Sequence, residues 1–195
     1  MKSLIRMAAV ALCSMTAISH AQSGPSTNTF VVALTYDAAY SGLTTGRNNF
    51  WMQGGSIEIA GTAWHGFGAA ANVTGLHSGN TGKSVPLNLV IATFGPRYTW
   101  TARKQRMAIF GQGLVGEANG FRSLFPSPGA ATDSANSLAV LAGGGVDLGL
   151  RQHLSLRLLQ ASWLRTQLPN ANTGVQNNLL LGTGIVFRLG QSVPR

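Results

Sequence analysis

Acidic and basic side chains occur at positions from which they could meet on one face of a closed sheet. Within the strands defined below, side-chain alternation places them on the face that also carries glycine, serine and asparagine. The residues predicted for this inward face are Asp37, Glu58, Arg97, Glu117, Asp147, Arg157, Arg165 and Arg188. Because an unpaired buried charge is costly, acids and arginines in a closed interior are expected to pair. The pattern therefore predicts an interior ionic network, with a breakable ionic gate for a narrow pore as the alternative.

Residues with nucleophilic or metal-binding side chains are few, and their spacing does not suit a catalytic pair or a metal site. His77 and Ser78 are adjacent, and adjacent strand residues point to opposite faces, so the histidine is badly placed to activate the serine. His65 and His153 stand alone in predicted turns, and no His, Asp or Glu cluster has the spacing of metal ligands. The sequence predicts no catalytic residue, no metal site and no cofactor.

The N-terminus has the composition of a secretory signal peptide. Lys2 and Arg6 form a basic start, and an uncharged, mostly apolar stretch follows over 7–18. Small side chains at Ser19 and Ala21 suit cleavage after Ala21. A membrane-spanning helix needs about twenty apolar residues, more than this stretch provides. The segment is therefore interpreted as a cleaved signal and not as an anchor.

The composition of the remaining chain favours a barrel that faces lipid. The signal peptide at 1–21 leaves one domain at 22–195 and removes Cys13, the only cysteine. The formal charge of the whole chain is +9, but the cations are scattered, which argues against a nucleic-acid partner. Only 10% of the residues are charged and 45% are hydrophobic, whereas soluble surfaces carry about 25–35% charged residues. A closed barrel can turn such apolar surface toward lipid because every backbone polar group is paired between strands.

Segments rich in Val, Ile, Leu, Thr and aromatic residues alternate with turn residues along the domain. They predict strands at about 29–39, 52–62, 67–78, 87–100, 107–119, 137–149, 154–166 and 177–189. Short connections at 63–66, 101–106 and 151–153 alternate with long ones at 40–51, 79–86, 120–136 and 167–176. This alternation is typical of bacterial outer-membrane proteins. The prediction is an all-β fold, an eight-stranded antiparallel up-and-down transmembrane β-barrel with both chain ends on the periplasmic side.

The facing of the strands follows a period of two, with bulky apolar residues toward lipid and small or polar residues inside. In the last strand the residues predicted to face lipid are Leu179, Leu181, Ile185, Phe187 and Leu189. Those predicted to face the interior are Asn178, Gly182, Gly184 and Arg188. In the seventh strand Leu154, Leu156, Leu158 and Leu164 are predicted to face lipid, and Ser155, Arg157 and Arg165 are predicted to face the interior. By the same count Leu141 and Leu159 fall inside.

These segments resemble the OmpA-like transmembrane β-barrel group, also called the porin-family or outer-membrane β-barrel domain, and within it the small barrels of acidobacteria. The likeness covers about residues 28–190. The segments that carry it are Thr93-Phe94-Gly95-Pro96-Arg97-Tyr98, Gly143-Gly144-Gly145-Val146-Asp147, Leu156-Arg157-Leu158-Leu159-Gln160, and Asn177 to Arg188. The resemblance implies the cell outer membrane as location and no defined reaction. Members often end on an aromatic residue, whereas here further residues follow Phe187.

We therefore expect an integral outer-membrane protein with a structural or envelope-interaction role and a packed polar interior. Its expected partners are outer-membrane lipid and surface molecules that meet the outer loops, and it is expected to be a monomer. A narrow small-solute channel is the first alternative. A lipid-modifying barrel enzyme is the lower alternative, because outer-membrane lipid A deacylases use a histidine–serine pair, for which His77 and Ser78 are the candidates.

Overall fold

The computed structural model describes residues 29–42, 49–79, 81, 86–102, 106–126, 131–169 and 174–189. The strands in these ranges are β1 (Thr29–Ser41), β2 (Phe50–Trp64), β3 (Phe67–Ser78), β4 (Leu87–Ala102), β5 (Met107–Phe125), β6 (Thr132–Arg151), β7 (Leu154–Thr166) and β8 (Gln176–Leu189). Among the described residues no helix is long and apolar enough to cross a membrane. The predicted signal peptide at 1–21, which includes Cys13, lies outside the described residues.

The eight strands form a closed antiparallel ring in chain order, which confirms the predicted up-and-down barrel. β1 pairs with β2 and also with β8, where Phe30 lies opposite Leu189. Closure pairs every strand on both sides and leaves no free edge. The start of β1, the end of β8 and the turns at 65–66 and 152–153 lie at one end of the barrel, called the turn end below. The opposite end is called the loop end.

The connection between β5 and β6 is shorter than predicted. Most of the expected loop at 120–136 is strand, and pairing extends to Phe125 opposite Thr132. Closer to the barrel, the exposed side chains of Asn119 and Asn136 hydrogen-bond across the same ladder. Polar residues suggested a loop, but strands that continue beyond the apolar surface can carry polar side chains as well.

A β-bulge in β7 reverses the facing of the second half of that strand. Leu158 and Leu159 are both exposed, at 48% and 51%, and the register against β8 shifts at this point. The predictions for the residues beyond were therefore wrong: Leu164 is fully buried and Arg165 is exposed. The inward prediction for Leu159 was wrong for the same reason. One extra residue moves all following side chains to the other face, which a strict period of two cannot reveal.

The outer face of the barrel is an apolar band, to which every strand contributes. Exposed members, one from each strand in order, are Leu34, Ile57, Val73, Phe94, Val115, Leu138, Leu158 and Ile185. Exposed aromatic side chains border the band toward both ends. They are Phe30, Trp64, Phe67, Tyr98, Trp100 and Phe187 toward the turn end, and Tyr36, Trp51 and Trp163 toward the loop end.

The larger apolar side chains of the interior lie in its loop half, called the apolar half below, whereas Glu58, Arg97, Asp147 and Arg157 lie in the middle and the turn half. The larger side chains of the apolar half are Met52, Leu76, Leu89, Ile91, Leu114, Phe125, Leu141, Leu164, Leu168 and Leu180. Leu164 belongs to this group only because of the bulge in β7. A packed polar interior was expected. Buried polar side chains occur in the loop half as well, among them Ser41, Ser78, Thr166 and Asn178, but large apolar side chains fill much of that half.

Replacing Leu164 by alanine should destabilise the barrel more than the same change at Leu158. The buried side chain would leave a cavity, and such changes cost about 2–5 kcal/mol. At Leu158 lipid or detergent chains would occupy the vacated space, so that the cavity cost is absent. Urea unfolding of both variants in lipid vesicles measures the difference. Equal losses would contradict the facing that the bulge creates.

Candidate functional site

Four charged side chains from four strands meet inside the barrel, all of them at most 5% exposed. Glu58 Oε1 accepts hydrogen bonds from Nη1 of Arg97 at 2.5 Å and from Nη1 of Arg157 at 2.9 Å. Arg157 also donates to Asp147 at two points, Nε to Oδ1 at 2.8 Å and Nη2 to Oδ2 at 3.3 Å. Arg97 Nη2 lies 4.0 Å from Asp147 Oδ2. These two acids and two arginines are called the ionic cluster below.

Two glutamines complete the hydrogen bonding of the ionic cluster. Gln112 Nε2 donates to the free oxygen of Glu58, Oε2, at 2.7 Å. Gln160 Oε1 accepts from Arg157 Nη1 at 2.7 Å. Buried charges are tolerated when their remaining donors and acceptors are satisfied in this way. Neither glutamine was predicted for the interior network, although the inward position of Gln112 beside the charged face was a usable signal.

Phe110 packs against both guanidinium groups. Its ring centroid lies 3.8 Å from Arg97 Cζ and 4.4 Å from Arg157 Cζ, a distance at which a cation is attracted to the face of an aromatic ring. Gly145 lies opposite Phe110 in the β5–β6 ladder, and a Cβ there would be only 2.8 Å from Phe110 Cζ. Glycine at this inward position therefore makes room for the ring under the ionic cluster.

Strand register brings the parts of the ionic cluster together. Asp147 is the direct partner of Arg157 between β6 and β7, and Arg97 is the direct partner of Gln112 between β4 and β5. Residues directly opposite on one face lie about 4.5–5.5 Å apart. Glu58, by contrast, comes from β2, which is hydrogen-bonded to neither β4 nor β7. Its carboxylate thus connects strands that the backbone ladder does not join.

Asp37 is buried nearby and makes different contacts. It is 3% exposed, and Thr35 Oγ1 donates to its Oδ2 at 3.2 Å. The Thr35 hydroxyl also lies 2.5 Å from that of Ser56. Gly182 faces the carboxylate, and a Cβ at that glycine would meet Oδ1. None of the four ion pairs among the described residues includes Asp37.

Three residues predicted for the interior network lie outside the ionic cluster. Glu117 was predicted inside, which was wrong: it shares the outward parity of Val115 and lies opposite Leu138 near the loop end of the apolar band. Arg165 is on the outer face because of the bulge in β7. Arg188 keeps the inward parity but is only half-buried at the turn end, and it belongs to none of the described ion pairs.

The three histidines that the structure describes form no catalytic arrangement with Ser78. His77 is exposed on the outer face, with Nδ1 2.8 Å from Asn88 Oδ1, whereas Ser78 is buried on the inner face. His65 and His153 are exposed in turns. Within the described ranges no group of three or more His, Cys, Asp or Glu could hold a metal ion.

Comparison with known proteins assigns the fold. No family model and no curated protein matches the chain. The crystal structure of Neisserial surface protein A has a TM-score of 0.61 at 14% identity, covering 82% of this chain and 97% of that chain. Ail, the attachment invasion locus protein of Yersinia pestis, has a TM-score of 0.58 at 14% identity, covering 84% of this chain and 100% of that chain.

The chain therefore has the fold of the eight-stranded outer-membrane β-barrels, in agreement with its resemblance to the OmpA-like group. A second structure of Ail, in complex with the heparin analogue sucrose octasulfate, has a TM-score of 0.56 at 13% identity and covers 84% of this chain and 100% of that chain. The likeness to acidobacterial barrels stays a prediction.

Replacing Arg157 by alanine should lower the free energy of unfolding by about 3–5 kcal/mol, because Glu58 and Asp147 would be left as buried acids with fewer partners. Arg165→Ala is the matched control in the same strand, and its effect should stay within about 0.5 kcal/mol because that side chain is exposed. Urea titration of the folded barrel in vesicles measures both. A loss at Arg157 no larger than that at Arg165 would contradict a stabilising ionic cluster.

Proposed function

We propose that this protein is an integral outer-membrane β-barrel with a structural or envelope-contact role, exported with 1–21 as a cleaved signal peptide. The observation that carries the proposal is the apolar band. Soluble monomers rarely expose contiguous apolar patches larger than a few hundred Å². Here Leu34, Ile57 and Phe94, on three different strands, are 46%, 53% and 59% exposed. A band of this kind between aromatic borders matches the lipid-facing surface of an outer-membrane barrel.

The packing of the interior supports a structural role over conduction. In the apolar half, Ile91 and Leu164 are 0% exposed and Leu114 and Leu141 are 2% exposed. Next to them, Arg157 of the ionic cluster is 0% exposed. A side chain that lines a continuous water path would expose part of its surface to that path. Two successive layers, one apolar and one ionic, therefore oppose the passage of solutes, which disfavours the narrow-channel alternative.

The loop end is the surface that we propose for contacts with envelope or external molecules. Leu124, near the end of β5, is 66% exposed there, and Arg122 is exposed beside it. The likeness in fold to Ail, which has been crystallised with a heparin analogue, supports this use of an outer-membrane barrel surface. The opposite facing of His77 and Ser78 disfavours the enzyme alternative, because the imidazole cannot take the hydroxyl proton across the sheet.

Expression of the full chain in a Gram-negative host tests the location. We expect the protein in the outer-membrane fraction, shortened at Ala21, and migrating differently on gels before and after boiling, because a closed barrel resists detergent until it is heated. Cell fractionation, N-terminal sequencing and unboiled gels provide the measurements. Recovery as a soluble periplasmic protein would overturn the membrane assignment.

Planar-bilayer recordings test the closed interior. Barrels whose folding has been verified by heat-modifiability should give no regular current steps in salt solution, because the apolar layer and the ionic cluster fill the axis. An open porin recorded in the same bilayers is the positive control. Reproducible single-channel steps from the wild-type protein would contradict the structural role and favour the narrow channel.

A further inference from the structure

Among the described residues, the two ends of the barrel differ in charge. All five acids of the chain lie among the described residues, and none is at the turn end. Three of them are buried inside, while Glu117 and Asp133 lie in the loop half of the barrel. In the same half, Arg122 and Arg165 balance these two acids among the described residues. Every charged side chain that the structure describes at the turn end is a cation, and this asymmetry is independent of the ionic cluster.

Three arginines lie at the turn end on one side of the barrel wall, at β5, β6 and β8. Arg106 and Arg151 are exposed and Arg188 is half-buried. Backbone hydrogen bonds hold two of them in place: Gly149 N donates to Arg106 O at 2.7 Å, and Arg188 N donates to His153 O at 2.9 Å. The three residues thus lie at the turn-end limits of β5, β6 and β8, and they are called the basic arc below.

The basic arc lies at the end of the barrel where the apolar band stops, with Arg188 starting from the inner face at the mouth of the barrel. Leu150 and Leu189, the chain neighbours of Arg151 and Arg188, are 49% and 54% exposed. Trp100, toward the same end of the adjacent β4, is 51% exposed. At the border of a membrane-facing surface, tryptophan lies at the level of the lipid headgroups. The arginines are therefore at the depth of the phosphates, and a guanidinium binds phosphate oxygens with two parallel hydrogen bonds.

We propose that the basic arc binds the headgroups of anionic phospholipids in the leaflet at the turn end. The inference rests on the membrane insertion proposed above. Charge complementarity carries it: cations without a neighbouring acid border an apolar surface, and each basic residue near an anionic membrane surface strengthens attachment about fivefold. The charges of the described residues in the loop half balance, so these residues give no comparable attraction there.

Quenching of tryptophan fluorescence by brominated lipids tests the proposal in vesicles. The four tryptophans divide evenly, with Trp64 and Trp100 toward the turn end and Trp51 and Trp163 toward the loop end. A protein with W51F and W163F reports on lipid at the turn end, and one with W64F and W100F reports on the loop end. Brominated phosphatidylglycerol and brominated phosphatidylcholine are compared, each in vesicles of the unbrominated other lipid.

At the turn end we expect brominated phosphatidylglycerol to quench about fivefold or more strongly than brominated phosphatidylcholine. This ratio should fall toward one in high salt, because salt screens the attraction between exposed charges. R106Q, R151Q and R188Q together should lower it at least threefold. R122Q and R165Q together are the matched control and should leave it unchanged. A turn-end preference near one in the wild type, or one that the triple variant retains, would overturn the proposal.

The same measurement separates this proposal from the membrane assignment. If neither brominated lipid quenches the tryptophans of a heat-modifiable protein, the apolar band does not face lipid and both proposals fail. If both lipids quench equally, the barrel is inserted and only the lipid preference is wrong. Unboiled gels of each variant confirm that the barrel is folded.

Discussion

The contact of Glu58 with two arginines across the barrel axis is the interaction on which the arrangement of the interior depends. Backbone pairing joins each strand only to its neighbours, whereas this carboxylate joins β2 to both β4 and β7. Once it is in place, Asp147 is needed to balance the second guanidinium, and Phe110 can pack against both. The same packing requires glycine at position 145, because a larger residue would displace the Phe110 ring.

The barrel distributes its few charges according to solvent and space. The outer face of the middle region carries apolar side chains, so the charged residues there must turn inward and neutralise one another. Toward the ends, where water and headgroups are accessible, charges such as Glu117 and Arg165 can lie on the outer wall. The same principle explains why the ionic cluster is compact while the arginines of the turn end stand apart from any acid.

The alternation of apolar and polar residues along single strands was sufficient to predict which side chains face outward where strand pairing is regular. In β8, Leu179, Leu181 and Ile185 face outward as predicted, and in β4 Arg97 faces inward. It failed in β7, where two consecutive leucines share the outer face and reverse the facing of Leu164 and Arg165. Nothing in the composition of that strand marks the bulge, because either facing leaves leucines on both sides.

Composition, period and the spacing of turn residues were enough to define the class of fold, since strand facing and loop length are local properties of the chain. The contacts between distant residues were not accessible in that way. Which acid meets which arginine depends on the register of all the intervening ladders, and one bulged residue changes it. The meeting of Glu58 with Arg157, 99 positions apart, therefore exists only once the ring has closed.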